Sequence, residues 1–143
     1  MAPSYVVRTA VTGDIAPLLG FWRSSAEGTD REDDRVSVER LLLHDPEAVI
    51  LAVESNEIVG SVIAGWDGWR CHLYRIAVRA DRRRQGIAKD LIAAAEERFA
   101  AQGARRVDAM VLEDDTLGQA AWAALGYVPQ HAWRRWVRRL DAR

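Results

Sequence analysis

Around Gly86 the chain gathers groups that can hold a phosphate. Val78-Arg79-Ala80-Asp81-Arg82-Arg83-Arg84-Gln85-Gly86-Ile87-Ala88-Lys89 reads as the end of an apolar strand, a basic turn and the start of an Ala-rich helix. The first turn of a helix leaves backbone N–H groups unpaired and carries a partial positive charge. Gly86 has no Cβ and Ala88 a small one, so a bulky anion fits directly against the backbone there, and Arg82, Arg83 and Arg84 add charge. The competing reading is a solvated basic turn ahead of an ordinary helix. The strand before it and the helix after it favour the anion site.

Composition narrows the rest. At 143 residues and 49% hydrophobic content, residues 1–143 are expected to form a single domain with one core. No apolar run approaches the ~20 residues that span a bilayer, and Met1-Ala2-Pro3-Ser4 lacks the charged start and apolar stretch of a signal peptide. The expectation is a cytoplasmic protein without a membrane partner. With 20 basic and 21 acidic residues the net charge is −1, so no global field draws the chain to nucleic acid, and none is expected as a partner. The single cysteine, Cys71, excludes an internal disulfide and a thiolate metal site; it reads as a small apolar strand residue, and no metal is expected.

These residues need a scaffold. Tyr5–Arg8 reads as a strand, and Thr12-Gly13-Asp14 caps a helix to about Arg23 with Ile15, Leu18, Leu19 and Trp22 on one side. A second helix spans about Val36–His44 and stops at Asp45-Pro46. Ala48–Glu54 and Ile58–Trp66 read as strands joined by a hairpin turn at Ser55-Asn56-Glu57, and Cys71–Arg79 as a further strand. Gly86–Gln102 is the clearest helix, closed by Gly103; Val107–Leu112 follows as a strand, Asp115–Leu125 as a short helix, and Ala132–Leu140 alternates like a last strand. Hairpins demand antiparallel pairs, whereas the helix crossing between the strands at Cys71 and Val107 makes that pair parallel. The fold class is therefore α/β: a mixed, mostly antiparallel sheet flanked by helices.

Arg83-Arg84-Gln85-Gly86-Ile87-Ala88 resembles the Q/R-x-x-G-x-G/A signature of the GNAT superfamily of acetyl-CoA-dependent N-acetyltransferases. Leu73–Val78 resembles that family's preceding strand, and Leu125-Gly126-Tyr127 the close of its last helix. Gly65-Trp66-Asp67-Gly68-Trp69-Arg70 is similar to a stretch of a RimI-like subgroup. The resemblance implies acetyl-CoA as co-substrate, a primary amine (small molecule or peptide N-terminus) as acceptor, a monomer or homodimer, and splayed parallel strands 4 and 5. It implies a diphosphate on Arg83, Arg84, Gln85, Gly86, Ile87, Ala88 and Lys89, and a pantetheine arm along Ile76, Ala77 and Val78. Asp115 and Trp122 fall where family members carry an asparagine and an acidic tyrosine next to the cofactor.

Proton transfer departs from that pattern. Trp122 offers an indole N–H, a donor but no usable acid. The basic glutamate of the ribosomal-protein N-terminal acetylases falls on Met110. Other groups must serve. Tyr74 stands two residues before Ile76 and on a regular strand shares its face; a phenol near pKa ~10 is a poor base but a competent acid for a thiolate. His72 stands on that face, and an imidazole can take or give a proton. Glu113 and Asp114 end the fifth strand. Tyr74 and Glu113 are the catalytic candidates; Trp22, Trp66 and Arg70 are the acceptor-side candidates, each with core or turn packing as its alternative. Glu27, Asp30, Glu32, Asp33 and Asp34 against Arg31 would draw a cationic amine. Two rival readings stand beside the enzyme. One is an acetyl-CoA-binding module without catalysis. The other is a nucleic-acid binder built on Trp133-Arg134-Arg135-Trp136-Val137-Arg138-Arg139.

Overall fold

The computed structural model describes residues 3–25 and 33–140. Its chain forms two compact units, Met1–Met110 and Val111–Arg143. In the first unit β1 (Val6–Thr9), α1 (Ile15–Ser25), α2 (Arg35–His44), β2 (Val49–Glu54), β3 (Glu57–Trp66), β4 (Cys71–Val78), α3 (Ile87–Ala101) and β5 (Val107–Ala109) follow in order. The strands form one sheet in the order β1-β2-β3-β4-β5. The first three pairs are antiparallel and β4–β5 is parallel, as the hairpins and the crossover helix require. The second unit holds α4 (Thr116–Ala124).

Local chemistry explains the elements. Ser55 and Asn56 sit at φ 49° and 64°, a two-residue turn whose twist suits the β2–β3 hairpin. Asp34 caps α2 by accepting the Ser37 N–H at 2.7 Å. Gly86 (φ 84°) and Gly103 (φ 83°) bracket α3 in the left-handed conformation that glycine adopts without strain. On one face of the sheet Ile15, Leu18, Phe21, Trp22 and Val38 bury against Val49, Leu51 and Ala77. α3 buries Ile87, Leu91, Ile92, Ala95 and Phe99, the spacing of an amphipathic helix.

Gly60 lets α3 come close. A Cβ there would stand 2.7 Å from Ile87 Cγ2 and 3.0 Å from Leu91 Cδ1. Gly60→Ala must therefore push the start of α3 off β3. Overpacking of this kind costs about 1–3 kcal/mol, and urea unfolding should show that loss in the midpoint with an unchanged slope.

Two expected strands differ. The strand at Val107 ends at Ala109, not Leu112, because its ladder with β4 stops at the Leu73–Ala109 pair. Ala132–Leu140 forms no strand: Trp133, Trp136, Val137 and Leu140 are all exposed, so the alternation there has no buried face to serve.

Candidate functional site

The basic turn and the start of α3 form the first part of the site. The first intrahelical bond of α3 runs from Asp90 N–H to Gly86 O at 3.0 Å. It leaves the N–H groups of Ile87, Ala88 and Lys89 without helix partners. Arg84 (φ 64°) and Gly86 (φ 84°) are both left-handed, the backbone pattern that curls a loop into an anion-binding nest. Nothing lies within 4 Å of where a Gly86 Cβ would stand, so the loop faces open space at that residue.

The arginines divide between two tasks. Arg82 forms an ion pair with Glu54 and bonds Gln85 Oε1 at 3.2 Å; Arg79 pairs with Glu57 at 2.9 Å and Asp81 at 2.7 Å. These pairs moor the turn to the β2–β3 hairpin and correct the expectation that Arg82 joins the anion site. Arg83 donates to Val78 O at 3.4 Å. At the far side of the helix start, Tyr5 donates to Asp90 at 2.5 Å, and that bond, with burial, pushes its phenol up to about 12.

β4 forms the second part. Its ladder with β5 joins only Cys71–Leu73 to Val107–Ala109; Tyr74–Val78 continue with no β5 partner among the described residues. The parallel ladder thus ends at Leu73, and Ile76, Ala77 and Val78 have no β5 residue opposite them. The same stretch is bulged: Tyr74 pairs with Ile63 and Ala77 with Ser61, so β4 carries one residue more than β3 between those pairs. Arg75, at φ 50°, absorbs it. The bulge overturns the expected alternation. Ile63 and Ser61 are two apart on β3, so Tyr74 shares its face with Ala77, not with Ile76.

Tyr74 is 45% exposed, and its ring covers Gly65. The His72 ring lies 5.9 Å from it, with His72 Nδ1 3.9 Å from Asp108 Oδ2. Ser61 is fully buried, accepts Trp22 Nε1–H at 2.9 Å and donates to Arg75 O at 2.9 Å. Sequence reasoning missed both Ser61 and the bulge; the one polar residue in the run Ile58–Ala64 was the available signal.

The acceptor-side residues are placed differently from one another. Trp22 is 4% exposed and hydrogen-bonded in the core, which is its packing alternative. Trp66 and Arg70 border a cavity of about 280 Å³ with Trp69, Cys71, Arg106 and Asp108, at the end of β4 away from Gly86. Asp67 closes that turn by accepting N–H bonds from Trp69 and Arg70 at 2.8 and 2.7 Å, which hold its carboxyl below the usual range. Burial pushes the Cys71 thiol up, away from nucleophile chemistry. Asp33 pairs with Arg75 at 2.7 Å and Asp34 caps α2, so two acids of the expected amine-drawing loop hold structure instead. Glu27, Asp30 and Glu32 lie outside the described residues.

In the second unit Asp115 caps α4, accepting Gly118 N–H at 2.9 Å. Trp122 packs edge-on against Tyr127 with ring centroids 4.8 Å apart. Glu113 is exposed, and its carbonyl accepts from the Gln119 side chain at 2.5 Å. No group of three or more metal-ligating side chains occurs among the described residues, nor does any helix long and apolar enough to cross a membrane.

Known proteins are similar to this chain. An acetyltransferase of Pectobacterium atrosepticum is 41% identical over 102 residues, 71% of this chain and 72% of that one. One of Yersinia enterocolitica is 32% identical over 124 residues, 87% and 88% of the two chains. Among solved structures, AAC(6')-Iy in complex with the bisubstrate analogue CoA-S-monomethyl-acetylneamine superposes with a TM-score of 0.75 at 19% identity, covering 96% of this chain and 99% of that one. With residues 16–127 matching the acetyltransferase (GNAT) family across β4, β5 and the α3 start alike, the chain belongs to that family and is an acetyltransferase of GNAT type.

Proposed function

We propose that the protein transfers an acetyl group from acetyl-CoA to a primary amine, either a small molecule or a peptide N-terminus. One observation carries the reading. The stretch of β4 without a β5 partner, Tyr74–Val78, leads through the basic turn to a helix start with unpaired amides, so a long ligand with an anionic middle finds backbone partners along both. The AAC(6')-Iy complex, with its CoA-based ligand in the same fold, supports it. Gly65–Arg70 supports a RimI-like subgroup, and the N-terminal sequence a cytoplasmic location.

Bound acetyl-CoA would supply an acetyl group activated as a thioester. The chain's own residues do the rest. The Gly86, Ile87, Ala88 and Lys89 amides, with Arg83, Arg84 and Gln85, hold the diphosphate. Ile76, Ala77 and Val78 pair with the pantetheine arm and direct an N–H to the acetyl oxygen, where charge builds during acyl transfer. The Tyr74 hydroxyl donates a proton to the departing sulfur, and His72, its ring 5.9 Å from that of Tyr74, stands next to it to accept one. Glu113 as a second proton-handling group, Asp115 and Trp122 at the cofactor, and Trp66 and Arg70 toward the acceptor complete the reading on the strength of the family resemblance.

Thiol release from acetyl-CoA with a panel of polyamines, aminoglycosides and peptide N-termini tests it, and turnover with at least one primary amine is expected. Binding of acetyl-CoA with no turnover across the panel would leave a catalytically degenerate module. In an active protein, Tyr74→Phe should lower kcat by about 10²-fold, the usual size of a lost general acid, with KM for acetyl-CoA little changed. A parent-like kcat would remove Tyr74 from that role.

A further inference from the structure

We infer that Ser61 is a positioning residue: anchored by Trp22, its hydroxyl holds the bulge of β4 in the shape that directs the Ile76 amide. The inference rests on the acetyl-transfer reading, and the residues that carry it lie outside the proton-handling set.

Direction in this hydrogen-bond chain is fixed by donor chemistry. An indole N–H can only donate, so Ser61 Oγ must accept from Trp22 Nε1. The single hydroxyl proton of Ser61 is then free for Arg75 O, 2.9 Å away. That carbonyl belongs to the bulge residue, where the ladder to β3 is disrupted. Ser61 thus supplies a partner where strand pairing fails. It does so from a site with no solvent exposure, where water cannot take its place.

Arg75 needs such support. Its φ of 50° is a conformation that residues other than glycine adopt only when their surroundings impose it. Its side chain closes a ring back onto the same elements: the guanidinium carbon lies 5.9 Å from the Trp22 ring centroid, and Nη2 donates to Asp33 Oδ1 at 2.7 Å. Backbone and side chain of Arg75 are therefore both tied to the α1–α2 side of the sheet. Ile76 follows directly, so the angle at Arg75 sets where its N–H points, while Ala77 returns to register opposite Ser61 with its own N–H toward β3.

Ser61→Ala removes the link to Arg75; Trp22→Phe keeps a ring in the core and removes only the N–H that anchors Ser61. In Ser61→Ala the ¹⁵N–¹H resonance of Ile76 should move in the ligand-free protein. Its kcat should fall about tenfold to a hundredfold, while calorimetry finds the acetyl-CoA Kd within about threefold of the parent. Trp22→Phe should shift the same resonance less and lower kcat less. Because Trp22 acts through Ser61, the double variant should be no worse in kcat than Ser61→Ala. A parent-like Ile76 resonance in Ser61→Ala, or losses that add in the double variant in step with the fall in Tm, would overturn the proposal. Failure of the parent itself to bind acetyl-CoA would instead overturn the reading on which it rests.

Discussion

Gly86→Glu should abolish acetyl-CoA binding while leaving the protein folded, with an affinity loss on the order of 10²-fold or more. Two effects act at one residue. The new carboxylate replaces an attractive field at the helix start with a repulsive one, and charge-assisted bonds to a diphosphate are worth about 1.5–3 kcal/mol each, where 1.4 kcal/mol is tenfold. The fold should tolerate the change, because nothing lies within 4 Å of the position a Cβ would take. What remains is backbone strain. Gly86 sits at φ 84°, and an L residue there costs roughly 1–2 kcal/mol. Gly86→Ala isolates that strain without the charge and should lose far less affinity. Calorimetric titration of the three proteins, with melting curves as the fold control, separates the contributions. Equal binding by parent and Gly86→Glu would sink the assignment of the diphosphate to this loop.

Local chemistry makes this loop legible in the sequence. Gly86 and Gly103 punctuate an apolar stripe, Ile87, Leu91, Ala94, Ala95 and Phe99, at helical spacing. Ser55-Asn56 marks the hairpin because those residues accept positive φ. The bulge in β4 had no such mark, since nothing in the side chain of Arg75 favours φ 50°. It exists because Ser61, Trp22 and Asp33 converge on that arginine from other elements, and convergence across long sequence separations is not written in any window of the sequence. Arg79 and Arg82 illustrate the same point from the other side. In the sequence they extend a basic run; in the fold they answer Glu57 and Glu54 across the sheet. The tail shows local signals failing outright. Trp133 to Leu140 alternates like a strand, yet Trp136 is 93% exposed, because alternation builds a strand only where a core face waits for it.

The second large effect falls on stability. Arg98, on α3, is mostly buried; its guanidinium donates to the Ala64 carbonyl of β3 and to Asp45 Oδ2 at 2.5 Å, where the chain leaves α2. Three elements meet at one charge. Arg98→Ala leaves Asp45 with an unpaired carboxylate, and removing one partner of a buried pair costs about 3–5 kcal/mol. The lower end applies, since the Asp45 side chain keeps 17% of its exposure and some contact with water. Thermal unfolding should therefore fall by roughly 10 °C, at about 2–4 °C per kcal/mol for a chain approaching this size. The loss should change little between low and high salt, because a buried pair is poorly screened. A double variant, Asp45→Asn with Arg98→Met, removes both charges and should recover more than half of the lost stability. Acetyl-CoA affinity measured well below the melt should stay near the parent's in both variants, because Ile87 and Leu91 against Gly60 seat the start of α3 independently of its far end. A single variant with unchanged Tm would show that the ion pair contributes nothing net. A loss of affinity without a loss of stability would show that the far end of α3 does help to set the loop at Gly86.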